Sequence, residues 1–234
     1  MKVSIIIPAL NEAESILAAL ESVKRQVGDF EIIVVDGGSD DGTLELAQPH
    51  ATTTSSERGR ARQMNAGARQ ATGDVLLFLH ADSILHPDAL SQLRSILRDD
   101  RIAGGTFTLA FDADNFWLRF YTFFPRFHFV FFHYGDQGIY VRRSIFEQMG
   151  GFSDIPLMED IDFLRRLQRF GKRAVIRHYP VMTSARRFFK YGLVRQEVLN
   201  IALVIAWILG VKPERLARWY AVWKADGKAG RRTD

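Results

Sequence analysis

Three groups of acidic residues stand where apolar segments end. Carboxylates in such places can bind a ligand, coordinate a cation or take up a proton. Asp36 closes the run Glu31-Ile32-Ile33-Val34-Val35, and Asp82 follows Val75-Leu76-Leu77-Phe78-Leu79-His80-Ala81. Glu159-Asp160 opens the amphipathic stretch 159–170. A carboxylate among glycines can accept hydrogen bonds from a nucleobase or a ribose hydroxyl. Gly37, Gly38 and Gly42 let the chain after Asp36 turn close to a ligand. A hard divalent cation is often held by one or two carboxylates plus substrate phosphates, a task that suits Asp82. A carboxylate at Asp160 or Glu159 could strip a proton from an attacking hydroxyl. Each group also has a plainer reading. Asp-Gly-Gly-Ser is a turn sequence, Asp82 can close a turn ahead of Pro87, and an acidic pair at a helix start is favoured by the helix dipole. His80 fits strand-end packing, and Asp162 is expected to face solvent.

The elements that must position these groups follow from the pattern of apolar residues. Residues 3–7, 31–35, 50–54 and 75–79 read as strands. Asn11, with Glu14 three positions on, is set to cap a helix reaching about Gln26. Further helices are expected at 43–48, at 58–71 and from Pro87 to about Leu97. On the 58–71 helix, Arg58, Arg62 and Arg69 are spaced for largely one side. Alternating strands and helices imply a parallel sheet covered on both faces. In such sheets, ligands bind outside the carboxyl ends of the strands, where Asp36 and Asp82 stand. The glycine spacing fits neither the dinucleotide fingerprint nor a P-loop. Later strands are expected at 103–111 and 138–141, and the chain from 188 onward reads as helical with a break at Pro213.

The composition sets bounds on class and partners. The 234 residues fit one large domain or one domain with an appendage. Apolar residues make up 47% and charged residues 25%, as in an ordinary folded protein. There is no cysteine, which excludes disulfide and thiolate chemistry. The net charge is +4, with much of the excess in Arg186-Arg187-Phe188-Phe189-Lys190 and in 224–232. That basic end fits a solvated tail or a contact with anionic lipid or phosphate. Residues 2–8 are too short for the apolar core of a signal peptide. The apolar segment 198–211 holds 14 residues including Asn200, short of the roughly 20 that span a bilayer, and reads as a buried or interfacial helix. Between 116 and 134 lie eight phenylalanines, Trp117 and two tyrosines. Phe116, Phe120, Phe123, Phe124 and Phe127 recur at helical steps, giving a face suited to core or subunit packing, to an acceptor platform or to a membrane surface. Nucleic acid is not an expected partner. A homo-oligomer and a peripheral membrane contact both fit the composition, with a cytoplasmic location at the inner face of a membrane.

Taken in order, four motifs resemble those of family-2 nucleotide-sugar glycosyltransferases over about residues 2–190. They are Ile6-Ile7-Pro8-Ala9-Leu10-Asn11-Glu12, Val34-Val35-Asp36-Gly37-Gly38-Ser39-Asp40-Asp41-Gly42-Thr43, His80-Ala81-Asp82 and Met158-Glu159-Asp160-Ile161-Asp162-Phe163. The resemblance implies an α/β glycosyltransferase A fold, with a Rossmann-like, mostly parallel central sheet and helices on both faces. It divides the chain into a nucleotide-sugar half (1–100), an acceptor-binding and catalytic half of the same domain (101–190) and a C-terminal helical extension (191–234). It implies inversion at the anomeric carbon in one displacement, Mn²⁺ or Mg²⁺ as cofactor, and a nucleotide-diphosphate sugar as donor, UDP-sugar being the commonest family choice.

Residue by residue, the resemblance places Pro8, Asn11, Glu12, Asp36, Asp40, Arg62, Asn65 and Ala81 at the nucleotide. Asp82 matches the last aspartate of the metal-binding Asp-x-Asp motif, and His80 stands where the first is expected. His178, or a residue near Thr183, would complete the metal shell. Asp160 matches the general base, with Glu159 beside it. Asp136 and Gln137 fall where the acceptor half begins. Arg186-Arg187-Phe188 resembles a shortened Gln-x-x-Arg-Trp motif and offers a planar fork to the departing diphosphate. The segments Gly135-Asp136-Gln137-Gly138 and Thr183-Ser184-Ala185-Arg186-Arg187 resemble a subgroup associated with arsenosugar biosynthesis; a lipid-linked or cell-envelope glycan is the other acceptor class. Two alternatives stand beside this reading. A nucleotidyltransferase would need a basic glycine loop after the first strand, which this chain lacks. A non-catalytic nucleotide-sugar-binding module would predict loss of Asp82 or Asp160, and both are present.

Overall fold

Strand β1 (Val3–Ala9) is buried along its whole length because parallel neighbours flank it, β2 (Phe30–Asp36) on one side and β4 (Val75–Phe78) on the other. The computed structural model describes residues 1–111, 137–183 and 193–229. Outside β2 lies β3 (Thr52–Ser55), also parallel. Beyond β4 the direction reverses. There β7 (Ile139–Arg142) runs antiparallel to both β4 and β6 (Ile102–Phe111). The long strand β8 (Lys172–Thr183) runs parallel to β6, and β5 (Ser83–Ile84) pairs antiparallel with its end. The eight strands form one sheet in the order β3-β2-β1-β4-β7-β6-β8-β5. The fold is the mixed α/β sheet with helices that the sequence implies.

Alternation along β1 builds a core on each face. Val3, Ile5, Ile7 and Ala9 pack with α1 (Ile16–Lys24) through Ile16, Leu20 and Val23, and with α4 (Ala89–Ile96) through Leu90 and Leu93. Ile6 points the other way, toward Ala61 and Met64 of α3 (Arg60–Gln70), Phe146 of α5 (Arg143–Met149) and Phe163 of α6 (Glu159–Leu167). Full burial of each such aliphatic side chain contributes about 1.5–3 kcal/mol. The short α2 (Thr43–Ala47) follows β2. Gly67 brings α3 unusually close to the sheet. A Cβ there would lie 2.4 Å from Ile6 Cγ2 and 3.0 Å from Val35 Cγ2.

Pro8 is tolerated in this central strand for a local reason. The carbonyl of Ala9 accepts from Gly37 on the β2 side, so the nitrogen of Pro8 faces the β4 side. Pairing with β4 has already ended there, at Ile6 and Phe78. The missing N–H therefore removes no ladder bond.

Several sequence expectations are corrected. The first helix does not start at Asn11 but at Ile16, after Ser15. Asn11 adopts φ 54 instead, and its side-chain oxygen accepts from the N–H of Asp40. His178 reads equally as a strand residue, and it lies in β8; the extent of that strand is hidden because a bulge between the pairs Phe107–Ile176 and Leu109–Val181 breaks the alternation on which strands are recognised. Asp162 does not face solvent: it is buried and accepts hydrogen bonds from Ser153 Oγ and Arg166 Nε.

The two C-terminal helices, α7 (Leu193–Ile208) and α8 (Pro213–Ala229), meet the start of α6. Leu203, Val204 and Leu216 pack on Met158 and Ile161. No helix among the described residues is long and apolar enough to cross a membrane. The aromatic stretch 116–134 lies outside the described residues.

Candidate active site

The carboxyl ends of β1, β2 and β4 open on the same side of the sheet, and their loops are tied together by side chains. Asp36 is buried at the end of β2. Its carboxylate accepts from the backbone N–H groups of Gly38 and Ser39 and from the hydroxyl of Ser39. Ser39 Oγ in turn accepts from the N–H of Asn11 at 3.0 Å, while Asn11 accepts from Asp40. Glu12 donates its N–H to Thr43 Oγ1, and Asp41 accepts from Ala13 and Thr43. The Thr43 hydroxyl, and next the Ala13 N–H, hold the Asp41 carboxyl below the usual carboxylate range. Pro8, Asn11, Glu12, Asp36 and Asp40 are thereby gathered into one cradle, with Pro8 and Asp36 buried and Asn11 and Asp40 at the exposed rim. Asp36 shapes the loop, as the turn reading expects.

The end of β4 carries the second group. His80 is half-buried, Ala81 is buried, and Asp82 is half-buried. Among the described residues, no hydrogen bond or ion pair engages the Asp82 carboxylate. A half-buried carboxylate left open in this way suits a cation that also meets substrate phosphates. The described residues contain no group of three or more His, Cys, Asp or Glu side chains able to hold a metal. His178 is exposed on β8, within the bulge, and strand pairing sets Thr183 rather than His178 beside Ser83.

The third group sits at the N-terminus of α6, where the helix dipole favours negative charge. The chain enters through Met158 at φ 69, a left-handed conformation held by packing against α7 and α8. The carboxylate of Asp160 accepts from the N–H of Ile161 at 2.7 Å and is only slightly exposed. An aromatic cluster fixes this helix to the sheet. Phe163 stacks on Phe152 at 4.2 Å between ring centroids, and Phe152 meets Phe78 of β4 edge-on at 4.8 Å.

One residue joins the second and third groups. Arg60, first in α3, places Nε 3.0 Å from Glu159 Oε1 and Nη2 4.0 Å from Asp160 Oδ2. The same Nη2 lies 3.0 Å from His80 Nε2. A guanidinium can only donate, so in this contact His80 Nε2 is the acceptor. Sequence reasoning missed this residue. The expected helix 58–71 sets Arg58, Arg62 and Arg69 on one side and Arg60 off it, whereas α3 begins at Arg60.

The other expected residues are distributed as follows. Arg62 is largely exposed and is held by Asp154 and Glu57; the Asp154 carboxylate above all pushes the guanidinium pKa up. Asn65 makes a reciprocal pair with the backbone of Phe152, donating to its carbonyl and accepting from its N–H, both at 2.9 Å. Gln137 is fully buried ahead of β7. Asp136, Arg186 and Arg187 lie outside the described residues.

Comparison with known proteins gives three results. The family model for glycosyl transferase family 2 matches residues 4–153. A PGL/p-HBAD biosynthesis glycosyltransferase of Mycobacterium tuberculosis is 32% identical, covering 75% of this chain and 72% of that one. Among solved structures, residues 1–349 of TarS from S. aureus give a TM-score of 0.65 at 18% identity, covering 88% of this chain and 66% of that one. The mannosyltransferase PcManGT from Pyrobaculum calidifontis, in complex with GDP-Man and Mn²⁺, gives 0.63 at 22% identity, covering 94% of this chain and 69% of that one.

Proposed function

The chain belongs to glycosyl transferase family 2, and from this premise we propose that it moves a sugar from a nucleotide-diphosphate sugar to an acceptor hydroxyl with inversion. The observation that carries the proposal is the pairing across the strand ends. Arg60 approaches both the nearly buried carboxylate of Asp160 and His80, at the strand end that carries the open carboxylate of Asp82. In this reading the acceptor oxygen forms its bond to the anomeric carbon as the bond to the diphosphate oxygen breaks. Asp160 takes the hydroxyl proton. The cradle of Pro8, Asn11, Glu12, Asp36 and Asp40 binds and orients the nucleotide, with Arg62 and Ala81 at its border. Mn²⁺ or Mg²⁺, held by Asp82 and the donor phosphates, would offset charge on the leaving group. Solved relatives of this fold bind UDP-GlcNAc and GDP-Man, which supports a nucleotide-diphosphate sugar here.

For the acceptor, a lipid-linked or cell-envelope glycan is favoured over an arsenosugar. Exposed Val198, Ile201, Ile205 and Ile208 form an apolar stripe on α7, and α7 packs on the helix that carries Asp160. That stripe also supports a peripheral contact with the inner face of a membrane. The test is hydrolysis of a panel of UDP-, GDP- and dTDP-sugars with and without Mn²⁺, with the anomeric configuration of the released sugar read by NMR. Metal-dependent release of the inverted sugar supports the reading. Retention of configuration, or no turnover of any donor, overturns it.

A further inference from the structure

We infer that Arg60 is the positioning residue that sets the Glu159-Asp160 pair against the strand end carrying His80 and Asp82. The inference rests on the assignment of Asp160 as the base. Arg60 lies at the mouth, with its side chain 39% exposed, above two carboxylates whose side chains are 6% and 13% exposed. A guanidinium is planar and has five donors in a fixed fork, so it can hold two elements in one geometry; an ammonium cannot. Here Nε lies 3.0 Å from Glu159 Oε1 as an ion pair without hydrogen-bond alignment, while Nη2 lies 3.0 Å from His80 Nε2 and 4.0 Å from Asp160 Oδ2.

The helix behind Arg60 is seated closely on the sheet. Gly59 precedes it at φ 144, a backbone conformation open to glycine and costly for other residues. Gly67 seats the same helix directly on β1 and β2. Groups mounted on such elements hold their geometry better than groups on loops.

The identity of residue 80 then acquires a reason. An aspartate at 80 would compete with Glu159 for the guanidinium as a second anion. A histidine accepting through Nε2 fixes the far end of the fork while leaving its charge to Glu159 and Asp160. Within the pair, Glu159 Oε1 lies 3.0 Å and Asp160 Oδ2 4.0 Å from the guanidinium nitrogens.

The test uses the full chain and the nucleotide-sugar panel, comparing Arg60→Ala, Arg60→Lys and Asp160→Asn with wild type. Arg60→Ala is expected to lower kcat by about 10²-fold, the lower end of what a general base contributes. The KM for the donor should stay within about threefold, because the lost interaction orients the base rather than the nucleotide. Arg60→Lys, which keeps the charge and loses the fork, should stay impaired. Added guanidinium ion should restore part of the Arg60→Ala rate and none of that lost in Asp160→Asn. Selective rescue distinguishes positioning from a structural role. Wild-type kcat in Arg60→Ala or Arg60→Lys, or a loss confined to KM, overturns the inference while an inactive Asp160→Asn leaves the base assignment standing. An active Asp160→Asn, or a wild-type protein that turns over no donor, removes the base assignment and this inference with it.

Discussion

Arg60 Nη2 lies 3.0 Å from His80 Nε2 while Nε of the same guanidinium lies 3.0 Å from Glu159 Oε1. One side chain thus spans the gap between the end of β4 and the start of α6. The expected metal ligand, Asp82, stands two residues beyond His80, and the expected base, Asp160, stands one residue beyond Glu159. The relationship links two halves of the chemistry that the sequence presents as separate motifs.

The first prediction concerns the metal. Asp82→Asn should abolish the stabilisation that Mn²⁺ adds in the presence of UDP. In the wild type, ligand at about 100 times its Kd adds about 2.7 kcal/mol. His80→Asp supplies a second carboxylate and should tighten Mn²⁺ while drawing Arg60 from Glu159 and lowering kcat. Thermal unfolding with and without Mn²⁺ checks the first effect, and donor hydrolysis checks the second. An unchanged Mn²⁺ response in Asp82→Asn would remove Asp82 from the metal site.

A second prediction separates stability from catalysis at the opposite end of the sheet. Glu31 is pushed up by burial, but hydrogen bonds from Ser4, the Thr72 N–H and Lys2 outweigh this and lower its carboxyl from 4.5 to about 2. A depressed pKa stabilises the fold above the unfolded value, and that stability is lost as pH falls from about 4.5 through about 2. Glu31→Gln should therefore lower Tm at neutral pH and flatten its dependence on acid, with kcat unchanged. A variant whose Tm still falls as steeply as wild type across that window would contradict this.

Asn65 offers a third test. Its amide clamps the backbone of Phe152, and Phe152 supports Phe163 on the helix that carries Asp160. Asn65→Ala leaves those backbone groups unpaired and should destabilise by about 1–3 kcal/mol. If the clamp is its main task, UDP affinity should change little. Loss of UDP binding at full stability would return Asn65 to the nucleotide pocket.

How much was legible in the sequence differs from residue to residue, and the reasons are physical. Asp36 and Asp82 stand at the ends of short apolar segments alternating with helical patterns, which is the mark of a parallel sheet. Glu159 and Asp160 stand at the start of a helix whose amphipathic pattern is local. Arg60 was hidden because its partners come from other elements, and no spacing within α3 points to them. Asp162 was misread for a related reason. Its side of α6 does face away from Asp160, but that side is covered by Ser153 and Arg166 rather than water. Asn11 has the composition of a helix cap, yet its amide serves the loop after β2, and the helix waits until Ile16. Tertiary hydrogen bonds decided each of these cases.

The most direct test of the account is Asp160→Asn, measured for both UDP binding and donor turnover. The substitution keeps size and polarity and removes the capacity to accept a proton. UDP should bind at wild-type affinity while turnover falls by about 10²–10⁴-fold, the range a general base supplies. Turnover at the wild-type rate would contradict the assignment of Asp160 as the base.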